Sequence, residues 1–287
     1  MRSGYLTSYL YRSPIDKGNF TLSDRHPFLY YFFAFIGIIL GRYLTIAGGA
    51  HLLIHSLFTK FLVKQGIQID PPVWESIHRD IRLSIYSTVI FAFGAAFSIF
   101  QFDRGYTLLY GDIDRYGWWY LGFSFVGVLL LQDTYFYFMH RLFHHPLLFR
   151  WFHLGHHLSR QPTPWTSFAF DPAEAIFQAL FLVEIVFTIP LHFATVIALI
   201  MTMIAWSVFN HLGFPLFPSS GYFRWCGRWA VGPLHHSLHH HKYTKHFGLY
   251  FTFWDKLLGT EDPNYDRVVP EKSLQSTKDA LVSSLDN

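Results

Sequence analysis

The sequence predicts an all-α fold: a multi-pass membrane helical bundle with a cytoplasmic histidine-rich helical cap. First, 51% of the residues are hydrophobic and only 14% are charged, whereas soluble proteins average about 25% charged residues. Second, several apolar stretches are long enough to cross a hydrocarbon core of about 30 Å. Third, histidines gather in two clusters, 140–157 and 235–246, the first directly after one of these stretches.

The first two membrane spans are predicted at 27–50 and 83–102. Arg42 lies within the first span, so its side chain must either snorkel to the interface or face protein. Between the spans, 51–82 carries four basic residues around a short apolar patch, which favours an interfacial segment. The segment 1–26 is polar and lacks an apolar core before a small-residue cleavage site, so no signal peptide is expected there.

A third span is predicted at 116–139 and ends on His140. The apolar stretch 175–209 is too long for one span and contains Pro190, which favours a hairpin of two short helices that returns the chain to its starting side. The loops on the histidine side carry more Lys and Arg than those on the other side, which places the histidines in the cytoplasm. The four basic residues of the N-terminal segment argue the other way for the first span.

Four regions follow: a polar N-terminal segment (1–26), membrane spans with an interfacial segment (27–114), a histidine-rich domain (115–265) and a polar C-terminal tail (266–287). The single cysteine, Cys226, excludes an intramolecular disulfide and a cysteine-ligated zinc finger, and it fits a reducing compartment. The net charge of +3 is small and the basic residues are scattered, so no nucleic-acid partner is expected.

The two clusters read HRLFHHPLLFRWFHLGHH and HHSLHHHKYTKH. On a helix, positions i, i+3 and i+4 share a face, so the spacings HxxxH and HxxHH bring imidazoles together. Neutral imidazole suits Zn, Cu, Fe and Ni, whereas Ca and Mg prefer oxygen ligands. Eight candidates are about twice what one tetrahedral zinc needs, which favours two metals in one site built from both clusters. They are His140, His144, His153, His156, His157, His236, His239 and His240.

His211 is a ninth candidate, assigned by position. It terminates the last apolar helix as His140 terminates the third span, so the two imidazoles reach a similar depth if both helices end at the same surface. In contrast, His246 lies ten residues beyond His236 and has no partner at helical spacing. We therefore expect His211 inside the ligand set and His246 outside it.

The position of the histidines favours oxidation chemistry. A redox metal with open positions at a membrane surface can activate oxygen against an inert alkyl chain, whereas zinc has no redox states. A membrane metal-ion transporter or metal-binding protein is the alternative, but a transporter would place paired ionisable residues at mid-span. A membrane zinc hydrolase would need an open water position and a carboxylate base, and the chain has no HExxH motif.

The motifs HRLFHH, HLGHH and HSLHH, followed by WDKLLGT, resemble the fatty acid hydroxylase and sterol desaturase family over roughly 115–265. The resemblance implies a catalytic domain with a non-haem centre of two iron ions that hydroxylates or desaturates a lipid with dioxygen. It implies a bacterial inner membrane or endoplasmic reticulum protein. No fused cytochrome b5-like domain is expected, so electrons would come from a separate cytochrome b5-like or ferredoxin-like protein.

One aspartate adds to the resemblance and a second departs from it. Asp133 precedes the first box by seven residues, as an Asp does in similar sequences, and two turns of helix place it on the His140 face. The resemblance implies a catalytic-site carboxylate that orients a ligating imidazole. The segment PTPWTSFAFDPAEA resembles one that often reads HPxE, but Asp171 stands where a histidine is usual.

Overall fold

The computed structural model describes residues 26–54, 59, 73–212 and 228–265. Apart from two strands of two residues, its regular elements are helices, which confirms the predicted helical architecture. Short 3-10 helices lie at Ile113–Arg115 and Pro164–Phe168. In chain order the elements are α1 (Pro27–Leu52), α2 (Trp74–Asp103), β1 (Leu109–Tyr110), α3 (Trp118–Phe143), α4 (Phe149–Phe152), α5 (Leu154–His157), α6 (Pro172–Thr188), β2 (Leu191–His192), α7 (Phe193–Asn210), α8 (Pro233–Lys242) and α9 (Phe253–Leu257).

Four of the described helices, α1, α2, α3 and α7, are long and apolar enough to cross a membrane. The chain is therefore a membrane protein, as its composition predicts. Between α3 and α7, α6 forms the first arm of the predicted hairpin and Pro190 follows it. The expected polar segment 1–26, except His26, and the tail 266–287 lie outside the described residues, as does Cys226.

Two helices extend beyond the predicted spans. α2 begins at Trp74 instead of Leu83, and α3 continues through His140 to Phe143. Both extensions contain charged or polar side chains. Such residues mark the limit of an apolar stretch in the sequence, but they do not interrupt the backbone hydrogen bonds of a helix. The predicted interfacial segment 51–82 is described only in part, and its residues 74–82 belong to α2.

Contacts at both ends show that α1 and α2 are antiparallel. At one end, the Tyr31 hydroxyl donates to Asp103 Oδ2 at 2.5 Å. At the other end, the ring centroids of His51 and Trp74 lie 6.3 Å apart. The second end adjoins the histidine clusters, because Ser159 Oγ, two residues after α5, donates to Asp80 Oδ1 of α2 at 2.6 Å.

At the end of the bundle away from the histidine clusters, β1 and β2 form a short parallel pair of strands. Leu109 of β1 pairs with Leu191 of β2, and the Leu108 N–H donates to the Val186 carbonyl at 2.8 Å. A buried apolar cluster from α3, α6 and α7 packs beside it, and includes Val128 and Leu199. Because β2 turns the chain between α6 and α7, the C-terminal ends of α3 and α7 both point toward the histidine clusters.

Candidate metal centre

Nine buried or half-buried histidines lie in two groups, and they are the nine predicted from the sequence. Within each group, one ring nitrogen from every member lies within 4.8 Å of the others. They come from the end of α3 and the residue after it, the one-turn helix α5 and the residue before it, the residue after α7, and α8. The five-histidine group is His140, His144, His153, His157 and His239, and the four-histidine group is His156, His211, His236 and His240.

Each HxxHH box contributes to both groups. In the first box, His156 joins the four-histidine group while His157 joins the five-histidine group. Adjacent residues of a helix point about 100° apart, so neighbouring histidines in α5 face different groups. In α8, His236 and His240 share a face and belong to one group, and His239 turns to the other. The two groups are therefore parts of one interlocked centre.

The Nε2 atoms of the histidines converge inside each group. His140 Nε2 lies 2.9 Å from His153 Nε2, and His157 Nε2 lies 3.0 Å from His239 Nε2. In the other group, the Nε2 atoms of His211 and His236 are 2.9 Å apart. These distances are short enough for a hydrogen bond. The position of the ring protons therefore decides whether these contacts are hydrogen bonds or pairs of facing lone pairs.

Backbone carbonyls fix those protons on the outer nitrogens. The Nδ1 atoms of His140 and His239 donate to the carbonyls of Phe247 and Lys245 at 2.9 and 2.8 Å. A carbonyl oxygen only accepts, and a neutral imidazole carries one N–H, so the Nε2 atoms of these rings present lone pairs inward.

The four-histidine group follows the same rule. His211 Nδ1 donates to the Ser207 carbonyl at 2.7 Å, and His156 Nδ1 donates to the Ala169 carbonyl at 3.1 Å. Facing lone pairs repel each other unless a cation lies between them. The donor set therefore fits a transition metal in each group, with all-nitrogen ligands of the type that suits iron, zinc or copper.

Glu174 is a site residue that the sequence prediction missed. Its Oε2 accepts from His153 Nδ1 at 2.7 Å, and both side chains are buried. Its Oε1 has no hydrogen-bond partner among the described residues. A carboxylate behind a ligating imidazole fixes the ring and raises its basicity. The signal was present in DPAE, where this glutamate stands three residues after Asp171 in the segment resembling HPxE.

Asp171 holds α5 in place. Its Oδ2 accepts from the Gly155 N–H at 2.7 Å, and a Cβ on Gly155 would lie 2.4 Å from Oδ1. That approach is too close for any side chain, which explains a glycine between two histidines of the box. Where a histidine is usual, this chain therefore has a carboxylate that binds the backbone of the metal-side helix.

Asp133 is placed differently from its expected role beside His140. Its Oδ1 accepts from the backbone N–H groups of Tyr250 and Phe251 at 2.7 and 3.2 Å, so its hydrogen bonds go to backbone and not to an imidazole. The same loop provides the Phe247 carbonyl that accepts from His140. Asp133 therefore acts on the imidazole through the loop, because a shared helix face does not determine what packs against it.

His235 and His246 lie outside both groups. Their ring centroids are 5.1 Å apart, and the Asp262 N–H donates to His246 Nε2 at 3.3 Å. His246 is in neither group, and its exclusion from the ligand set stays a prediction. His235 precedes the second HxxHH box by one residue and packs instead on the ring of Tyr265, with centroids 4.0 Å apart.

Burial keeps the histidines of the centre neutral. It lowers the pKa of His156 to about 4 and that of His211 to about 3. For His236 and His239, burial and the neighbouring imidazoles lower the pKa well below its usual value. Metal binding requires deprotonated ligands, so these imidazoles are in the binding form at neutral pH.

Two cavities with no lining residue in common border the centre. An apolar cavity of about 590 Å³ lies between α1, α2, α6 and α7 and touches both groups, with His140, His156 and His236 in its wall. An outer depression of about 480 Å³ reaches His144 alone among the nine, and Arg141 lines it. Cavities of 300–1,000 Å³ are typical of small-molecule sites.

The segment that contains these histidines is similar to known proteins. The fatty acid hydroxylase family model matches residues 125–260. A Delta(7)-sterol 5(6)-desaturase, ERG3B of Gibberella zeae, is 33% identical over 180 residues, covering 60% of this chain and 54% of that protein. Lathosterol oxidase of Rattus norvegicus is 35% identical over 159 residues, 55% of this chain and 52% of that protein. No solved structure matches the chain significantly.

The chain spans about half the length of the curated relatives it matches. The matched segment begins within α3 and ends after α9, so it contains all nine histidines of the two groups together with Glu174. The sequence resemblance based on the histidine boxes is confirmed: residues 125–260 of this chain match the fatty acid hydroxylase family model.

Proposed function

We propose that this protein is an integral-membrane non-haem di-iron oxidoreductase that uses dioxygen and an external electron donor to hydroxylate or desaturate a lipid. One observation carries the proposal: inward-facing imidazole lone pairs converge in two adjacent groups at the wall of an apolar cavity. A metal-ion transporter is less well supported, because the histidines gather where α3 and α7 end instead of along a path through the bilayer.

In this proposal, all nine histidines are iron ligands, five for one ion and four for the other. When bound, iron supplies the one-electron and dioxygen chemistry that amino-acid side chains lack. The chain holds the ligands: carbonyls fix the protons of His140, His156, His211 and His239, and Glu174 fixes that of His153. The apolar cavity excludes water and brings an alkyl segment beside the centre.

The names of the relatives make a sterol the first substrate class to test. Lipids of cells expressing the wild type, His156→Ala and His246→Ala would be compared by mass spectrometry under ¹⁸O₂. We expect a lipid with one labelled oxygen more, or two hydrogens fewer, in the wild type and His246→Ala but not in His156→Ala. A lipid profile that is the same in all three lines would contradict the proposal.

We place the electron donor at the outer depression. It reaches the five-histidine group at His144, Arg141 and His145 line it, so it offers a basic surface, and it shares no lining residue with the apolar cavity. A small acidic cytochrome b5-like or ferredoxin-like protein would fit this charge. The lipid and the donor would then reach the centre through separate cavities and would not compete.

We also propose that the centre lies on the cytoplasmic face of its membrane, the bacterial inner membrane or the endoplasmic reticulum. Leu158, Lys242 and Leu108 are exposed, the first two near the centre and the third at the far end. Each would be changed to Cys in a Cys226→Ser background and labelled with an impermeant thiol reagent. Positions 158 and 242 should react only from the cytoplasm and 108 only from outside, and the reverse pattern would refute the orientation.

A further inference from the structure

Arg42 is a charged residue in the middle of an apolar helix, and it lines the apolar cavity. Positions 35, 38, 39, 42 and 46 of α1 form one stripe at helical spacing, and all five line the cavity. The other four are Phe or Ile. The same space is lined by five histidines of the centre: His140, His153, His156, His211 and His236. The guanidinium therefore belongs to the cavity that leads to the metal centre.

Arg42 is half-buried and makes no hydrogen bond, ion pair or ring contact with the residues that the structure describes. It lies ten residues before the end of α1 at Leu52, a distance of about 15 Å along the axis. Side chains of a helix lean toward its N-terminus, so the Arg42 side chain points away from the C-terminal end of α1 at Leu52. Its other end, Pro27, is about 22 Å away, which is beyond the reach of a snorkelling side chain.

We propose that Arg42 binds the anionic head of the lipid that occupies the cavity, a carboxylate or a phosphate, and so selects acidic lipids. The inference rests on the proposed function in taking the cavity as the substrate site. An ionised group inside a membrane protein marks a functional site and needs a partner. Guanidinium pairs with carboxylate or phosphate through two parallel hydrogen bonds, whereas a sterol hydroxyl is neutral and would leave the charge uncompensated.

The cavity itself offers little competition for the guanidinium. The carboxylate in its wall is Glu174, which is held by His153 at 2.7 Å. Tyr43, the neighbour of Arg42, donates its hydroxyl to the Trp165 carbonyl at 2.9 Å, and Ser98 donates to the Gly94 carbonyl at 3.0 Å. Glu174 Oε2 and the two hydroxyls are thus engaged within the protein, and none of these groups bonds to Arg42, so the guanidinium remains available to a ligand.

The test is equilibrium binding to the purified full-length protein in nanodiscs of neutral phosphatidylcholine, without turnover. The probes are hexadecanoate, hexadecyl phosphate, hexadecan-1-ol and cholesterol. The variants are Arg42→Met, Arg42→Lys and the control Arg82→Met, an exposed arginine of α2 outside the cavity. His156→Ala is included because it removes a proposed iron ligand and leaves Arg42 in place.

We expect the wild type to bind at least one of the two anions at least tenfold more tightly than the alcohol or cholesterol. Whichever anion binds more tightly identifies the head group. Arg42→Met should lose the preference while keeping its affinity for hexadecan-1-ol, which shows that the cavity is intact. Arg42→Lys should keep part of the preference, and Arg82→Met all of it.

Two results would overturn the inference: equal affinities of the wild type for both anions and the alcohol, or an unchanged preference in Arg42→Met. Because binding is measured without oxidation, it is independent of the iron chemistry. A preference for the anion that persists in an inactive protein, or in His156→Ala, would support the role of Arg42 even if the proposed oxidoreductase activity were refuted.

Discussion

The five-histidine group and the four-histidine group have different surroundings. The five-histidine group has a buried carboxylate, Glu174, behind one imidazole and borders the outer depression through His144. In the four-histidine group, the outer nitrogens of His156 and His211 donate to backbone carbonyls. None of the members of this group lines the outer depression. Both groups border the apolar cavity.

This difference suggests that the two groups have different roles in one centre. A catalytic metal needs open positions, and a group with fewer protein ligands leaves more of them. The four-histidine group would therefore leave more room for dioxygen and substrate. The five-histidine group, which offers more imidazoles and borders the outer depression, would receive electrons first. The interlocked boxes keep the two groups at a fixed separation.

The largest expected effect comes from removing one histidine of each group. His236→Ala should empty the four-histidine group and His239→Ala the five-histidine group, each losing about half of the iron, and activity should fall more than about 100-fold in either. The double variant should hold almost no iron. Iron per chain, measured by mass spectrometry on purified protein, tests this. Full iron content in the double variant would contradict the assignment of both groups as iron sites.

The next largest effect distinguishes the proposed ligand His211 from His246, a nearby histidine outside both groups. His211 donates its outer proton to the Ser207 carbonyl and faces His236, whereas His246 packs on His235. His211→Ala should lose iron from the four-histidine group and most activity, and His246→Ala should keep most of both. The same iron and activity measurements apply. Wild-type values in His211→Ala would reduce the four-histidine group to three imidazoles.

The sequence indicated which histidines come together, because helical spacing and repetition are local properties, while their role as metal ligands stays a prediction. All nine residues assigned as ligands lie in the two groups, including His211, which was chosen only because it ends a helix. The division of each HxxHH box between two groups was not predicted, because it depends on how α5 and α8 are rotated against α3. That rotation follows from long-range packing.

The errors have the same physical origin. Asp133 shares a helix face with His140, but its acceptor capacity is used by the backbone of a loop more than a hundred residues away. Glu174 was overlooked because its partner, His153, is 21 residues away on another element. Hydropathy placed the start of α2 at 83, because it detects the apolar part of a helix and not its polar first turns.

A smaller effect is expected from the carboxylate that distinguishes the five-histidine group. Glu174→Gln keeps the size of the side chain and an acceptor for His153 but removes the charge, so iron affinity of this group should fall about tenfold. Glu184→Gln is the matched control, because Glu184 lies on the same helix and is exposed. Competition with an iron chelator measures the affinity. Equal iron retention in the two variants would show that the carboxylate charge has no influence on the group.

The smallest expected effect concerns the outer depression, and it tests whether electrons enter through the five-histidine group. Arg141 is exposed in the wall of this depression beside His144. Reversing its charge should slow association with an acidic donor without changing the ligands, since charges at the rim of an interface act mainly on the association rate.

Arg141→Glu should therefore lower the rate of reduction by the donor roughly threefold to tenfold at low salt, with iron content and lipid binding unchanged. The difference from the wild type should shrink as salt is raised, because screening weakens the attraction that the variant has lost. Arg115→Glu provides the control, since Arg115 is exposed at the opposite end of the bundle. Stopped-flow reduction with a cytochrome b5-like protein and with a ferredoxin measures the rates. If Arg141→Glu and Arg115→Glu were reduced at the same rate by both donors, electrons would have to enter elsewhere, and the outer depression would not distinguish the two groups.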